Sequence, residues 1–118
     1  MAIAILAQRN ALATAYGTNA PFGCLFTADP GTSGTVTGEV TGGSPPYARK
    51  AMNWGGVSAS AITGAPTFDV PAATTATFFG VAVSGTAATA DLRDKVAVTS
   101  QAFASQGTYQ VTATYTQS

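Results

Sequence analysis

Near the end of the chain, Tyr109, Val111, Ala113 and Tyr115 alternate without a break with Gln110, Thr112, Thr114 and Thr116. A period of two is the signature of a strand, because successive side chains leave opposite faces of the pleat. Here one face is apolar and the other carries only hydroxyls and amides, so the run must cover something on one side and meet water on the other. That requirement fixes the fold class for the rest of the chain, which has to supply a second layer. Phe22 to Thr27 reads as a strand with apolar residues on both faces, and Thr67 to Val70 as a short strand closed by Pro71. Thr75 to Val83 is the most apolar run and is placed centrally; Lys95 to Thr99 follows as another strand. Gly, Pro and Asp punctuate these runs at Ala28-Asp29-Pro30-Gly31, at Gly85 to Ala90 and at Gln106-Gly107. Thr32 to Gly43 and Gly55 to Pro66 are rich in small residues and read as loops. The Ala- and Leu-rich start, free of Gly and Pro, predicts one helix over Gln8 to Tyr16, stopped by Gly17. Its lead-in, Ala2 to Ile5, could form a short strand instead. These elements predict an all-β, antiparallel β-sandwich or flattened barrel with one short N-terminal helix, as a single domain over residues 1–118.

Between the two loops lies the densest local pattern, Glu39 to Trp54. A Gly-Gly-Ser-Pro-Pro bend leads into Tyr47-Ala48-Arg49-Lys50-Ala51-Met52-Asn53-Trp54. Read as one strand, this run places Ala48, Lys50, Met52 and Trp54 on the core side and Tyr47, Arg49, Ala51 and Asn53 on the other. Arg49 then needs a partner: Glu39, Asp69 or a carboxylate of a neighbouring subunit, which its planar fork could hold with two bonds. On this reading Arg49, Glu39, Pro45, Pro46 and Tyr47 are the candidate interface residues. Met52, Trp54, Phe78 or Phe79, Val81, Tyr109 and Val111 are expected to share one core.

Charge restricts function further. Charged residues make up only 8% of the chain, five basic and five acidic, against roughly 25% in an ordinary soluble domain. A chain with so few charges and no net charge is expected to be covered by neighbours in an assembly; the alternative is a surface wetted by the hydroxyls of its 19 Thr residues. No basic patch can track a phosphate backbone, so nucleic acid is not an expected partner. The apolar start is too short for a membrane span and has no basic residue before it, so the chain is expected to fold in a cytoplasm without membrane insertion.

The same segments, taken in order, carry a resemblance. Leu25-Phe26-Thr27-Ala28-Asp29-Pro30-Gly31, Gly38-Glu39-Val40-Thr41-Gly42-Gly43-Ser44 and Tyr47-Ala48-Arg49-Lys50-Ala51 resemble the small tail-fibre or minor virion structural proteins of bacteriophages. Phe68-Asp69-Val70-Pro71-Ala72 and Gln106-Gly107-Thr108-Tyr109 are similar to later segments of that family. Phe26 stands where the family often has His, and Phe79 to Ser84 replaces a stretch that usually holds an aromatic and an Asp. The resemblance implies a virion component, made in the host bacterial cytoplasm, with other phage virion proteins as partners.

Nothing in the sequence adds a catalytic signature. There is no His, which removes Ser-His-Asp, Cys-His and His-metal chemistry, and no Lys follows the glycines of Gly31-Thr32-Ser33-Gly34 as a phosphate loop requires. Cys24 has no base near it in sequence and reads as a small buried hydrophobe. Asp91 and Asp94 could contribute to a Ca²⁺ site, but the ion wants six to eight oxygens; ion pairs with Arg93 and Lys95 in a solvated turn fit the cluster better. The expectation is therefore a non-enzymatic chain without cofactor or metal. It would serve as a tail-fibre or minor tail (tail-tip) component, a homo-oligomer with a trimer favoured, assembling through loops 32–46 and 55–66. The alternatives are a capsid-decorating protein on the phage head and a carbohydrate-binding module. The last needs aromatics gathered on a surface, whereas Trp54 and most of the Tyr residues fall on apolar strand faces.

Overall fold

In the computed structural model, which describes residues 4–118, one helix and eight strands build an all-β sandwich. Helix α1 spans Leu6–Asn19; the strands are β1 Phe22–Phe26, β2 Lys50–Ala51, β3 Ala61–Gly64, β4 Thr67–Val70, β5 Thr74–Ala82, β6 Leu92–Phe103, β7 Gly107–Gln110 and β8 Ala113–Thr116. One layer is a four-stranded antiparallel sheet in the order β2-β1-β5-β6. The opposing layer consists of two antiparallel ladders, β3 with β8 and β4 with β7.

The large sheet is buried on both faces at β1 and the second half of β5, which is why these runs are apolar at consecutive positions. Leu25, Phe79 and Val81 point into the main core, where they meet Phe68, Val70 and Val111 of the second layer together with Met52 and Tyr47. Trp54 and Tyr109 pack against this cluster from its rim. The expected core set is thus assembled, with Phe79 rather than Phe78 inside. The other face holds a smaller core of Cys24, Phe26, Ala82 and Leu92, with Val36 and Phe78 against it. Burying a side chain of this size contributes about 1.5–3 kcal/mol, so the paired cores account for a two-sided central sheet in so small a chain.

Several local expectations change. The helix runs past Gly17, which is not its stop. A Cβ there would lie 2.8 Å from Ile62 Cδ1 and 3.1 Å from Trp54 Cδ1, so this glycine lets the helix press onto the sheet. Its buried face is Ala13 and Gly17, one turn apart, and Pro21 follows the C-cap, Ala20. Of the lead-in Ala2 to Ile5, for which a strand is the alternative, Ala4 and Ile5 lie in no strand, and residues 2 and 3 lie outside the described residues. Residues 55–66 are not a loop throughout, because β3 lies within them. Its turn puts Ala59 and Ser60 at φ of 49° and 67° between the bridged Ser58 and Ala61. Turns of that hand favour Asn-Gly, and Ala-Ser gives no such signal. The conformation is held instead from the helix: Asn10 Oδ1 accepts the Ser60 N–H at 2.8 Å, and Arg9 Nε donates to Ser60 Oγ at 2.8 Å. The closing alternation is divided at Val111 and Thr112 into β7 and β8, which pair with different strands while keeping Val111 buried. Finally, β6 is much longer than Lys95 to Thr99.

Candidate functional site

The Glu39–Trp54 stretch forms only a two-residue ladder with β1, pairing Phe22 with Ala51 and Gly23 with Lys50. A ladder this short does not enforce alternation: the expected facing holds at Met52 and Trp54 but is reversed over Tyr47 to Arg49. Tyr47 and Arg49 are buried, Ala48 is exposed, and Met52 is buried again. The deciding factor is the Arg49 guanidinium, which has five N–H donors and an acceptor for each. Nε and Nη2 grip the two oxygens of Glu39 at 3.0 and 3.1 Å, and Nη1 donates to Asp91 Oδ1 at 2.8 Å. Backbone carbonyls of Ser84 and Thr89 take the remaining two at 2.9 and 2.7 Å.

The carboxylates are satisfied in turn. Tyr47 Oη donates to Glu39 Oε2 at 2.8 Å and accepts the Leu25 N–H, the Ala88 N–H meets Glu39 Oε1, and the Ser84 N–H meets Asp91 Oδ2. Burial and the Glu39 carboxylate push the Tyr47 phenol well above its ordinary range. The cluster ties the 38–40 turn, the 84–91 loop and the 47–51 segment onto β1. It offers no group to a partner, because the Arg49 side chain has no exposed surface and that of Glu39 is 3% exposed. Arg49, Glu39 and Tyr47 are therefore internal clamps and not an intersubunit anchor. Of the expected interface set, Pro45 and Pro46 are exposed.

Two further ion pairs lie outside this cluster. Lys50, not Arg49, pairs with Asp69 at 3.5 Å, and Lys95 pairs with Asp29, whose acidity this contact increases. The expected local pairing within Asp91 to Lys95 is not among the ion pairs of the described residues, since Asp91 is taken by Arg49 and Lys95 by Asp29. Asp91 and Asp94 do not converge: one joins Arg49, the other meets Tyr16. Among the described residues no group of three or more His, Cys, Asp or Glu is placed to hold a metal ion. Cys24 is fully buried, and burial pushes its thiol up to about 12, which leaves it protonated and unreactive at neutral pH.

One open feature is a cleft of about 360 Å³ between β6 and the 111–115 segment, floored by Phe79 and Val81. At one end three aromatic rings from distant parts of the chain meet. Tyr16 of the helix stacks on Tyr115 of β8, centroids 3.7 Å apart and planes 7° from parallel, and Trp54 meets Tyr16 edge-on at 6.0 Å. The Trp54 indole N–H is spent on the Ala20 carbonyl at 2.9 Å. Tyr16 Oη donates to Asp94 Oδ2 at 2.7 Å across the mouth; burial first, then this contact, push the Tyr16 phenol well above its ordinary range. Sequence reasoning missed this grouping, since Tyr16 and Asp94 are 78 positions apart and no local spacing relates them.

No protein-family model, curated protein or solved structure matches this chain. No helix among the described residues is long and apolar enough to cross a membrane.

Proposed function

We propose that this chain is a non-enzymatic structural component of a bacteriophage particle, a tail-fibre or minor tail (tail-tip) subunit that assembles through its uncharged loops. The observation that carries this reading is the fate of its charges. Seven of the ten charged side chains enter ion pairs within the chain: Arg49, Glu39, Asp91, Lys50, Asp69, Lys95 and Asp29. What faces outward is mostly Ala, Gly, Thr and Ser, with residues 41–46 exposed throughout. A surface with so little charge has few devices against association, and small residues let backbones approach closely. The order of the segments around Asp29, Glu39 and Arg49 supports the phage assignment, and their chemistry here is architectural, as a virion subunit needs.

The test places charge where contact is expected without touching the fold. Thr32→Glu and Thr41→Glu lie on exposed loop positions. Each should leave thermal stability within about 0.5 kcal/mol of wild type while lowering oligomer mass and incorporation into particles. Gold-labelled chain seen at the tail in electron micrographs agrees with the reading; label spread over the head favours the capsid-decorating alternative. A wild-type chain that stays monomeric and never enters particles refutes both.

A further inference from the structure

The aromatic cleft is not used by the assembly reading, and its chemistry is specific. We infer that it is a saccharide-binding site, in which the outer face of Tyr115, backed by Tyr16 and Trp54, stacks against the C–H face of a sugar ring and Asp94 accepts its hydroxyls. The sequence argued against a glycan site on the ground that the aromatics fall on apolar strand faces. The fold removes that objection, because the rim of the core opens here and leaves all three rings half-buried in the wall of one cleft.

Three observations select a polyol over other small ligands. First, the rings are packed on one another, at 3.7 and 6.0 Å between centroids, so no gap between them can enclose an ammonium group. A cage for such a cation surrounds it with separated ring faces within about 6 Å of the charge; here the Tyr16–Tyr115 stack leaves the outer face of Tyr115 as a single platform, the form that suits a flat, weakly polar ring face. Second, Asp94 has no ion-pair partner among the described residues, and Tyr16 Oη and the Lys95 N–H each take one lone pair, one on each oxygen. An exposed carboxylate held in this way keeps acceptor capacity for two further donors, and the Lys95 ammonium is turned away to Asp29 and the Phe78 ring. Third, Thr112, an exposed residue with a hydroxyl that can both donate and accept, lines the same cleft as Asp94. A volume of about 360 Å³ lies within the usual range of small-ligand sites.

The site is a shallow one, so affinity per ring is expected in the millimolar range, about 4 kcal/mol, and useful binding would come from several copies together. The experiment uses the full chain, labelled with ¹⁵N, titrated with soluble monosaccharides and short oligosaccharides (hexoses, N-acetylhexosamines and pentoses), with tetramethylammonium as a separate arm. At least one saccharide should shift the amides of Asp94, Thr112 and Tyr115 and change Trp54 fluorescence. Asp94→Asn, which keeps an oxygen for Tyr16, should weaken that binding about tenfold while leaving the unbound spectrum otherwise intact; Tyr115→Ala should abolish it. Because Tyr115→Ala also removes a stacking partner, Asp94→Asn decides if that variant fails to fold. The inference is overturned if no saccharide shifts these residues at tens of millimolar, if shifts map to another face, if Asp94→Asn binds like wild type, or if only tetramethylammonium binds. None of these outcomes bears on particle incorporation, so the site and the assembly role stand or fall separately.

Discussion

Replacing Arg49 by Met keeps the length and bulk of the side chain and removes its charge and all five donors. Left behind are Glu39, with a side chain 3% exposed, Asp91 at 18%, and the carbonyls of Ser84 and Thr89. Stranding a buried carboxylate by removing its partner typically costs about 3–5 kcal/mol. A domain of this length has total stability of roughly 6–18 kcal/mol, so the variant should lose about a third of a mid-range value, with Tm lowered by about 10–20 °C. Urea unfolding followed by the fluorescence of Trp54 reads this directly, since Trp54 is half-buried against the main core. Lys50→Met is the control: its contact with Asp69 is 3.5 Å long and 38% exposed on the lysine side, so it should cost less than about 1 kcal/mol. The charge argument makes a further demand. Arg49→Met combined with Glu39→Gln should be more stable than Arg49→Met alone, because one stranded charge is gone. An Arg49→Met cost no larger than that of Lys50→Met, or a double variant less stable than the single, would refute the clamp.

Gly80→Ala should destabilise by about 1–3 kcal/mol in thermal melts, since its Cβ would lie 2.6 Å from Leu92 Cδ1 and 3.0 Å from the Asp94 carbonyl; Gly56→Ala, with nothing within 4 Å, should be near neutral. Val111→Ala should cost on the order of 1–3 kcal/mol by urea titration, and no measurable change would place the closing segment the wrong way round. Cys24 should resist thiol reagents in the native state at neutral pH and react fully in denaturant. Its folded value near 12 lies above the ordinary 9.0, so stability is in full below pH 9 and is lost as pH rises towards 12, by up to about 4 kcal/mol from this group. Cys24→Ala should flatten that alkaline decline, leaving the part due to Tyr16 and Tyr47, which burial shifts in the same direction.

Local chemistry determined a good deal of this molecule by itself. Alternation at Tyr109 to Thr116 and the two-sided apolar runs at Phe22 and Thr75 reveal a sandwich with a buried central sheet, because side-chain facing in a strand is a matter of parity. The places of Val81, Tyr109 and Val111 at the main core follow from the same rule. Parity stops being informative where the ladder is short. Over Tyr47 to Trp54 only two residues pair, and the five acceptors gathered from residues 39, 84, 89 and 91 decide that Arg49 turns inward. Gly17 illustrates a second limit: as a sequence symbol it ends a helix, but pressed against Ile62 and Trp54 it continues one, since a missing Cβ serves close packing as well as a turn. The Ala59-Ser60 turn, held by Asn10 from the helix, and the meeting of Tyr16, Trp54, Asp94 and Tyr115 are tertiary in origin. Their partners lie tens of residues apart, and only the closing of one layer over the other brings those side chains within bonding distance.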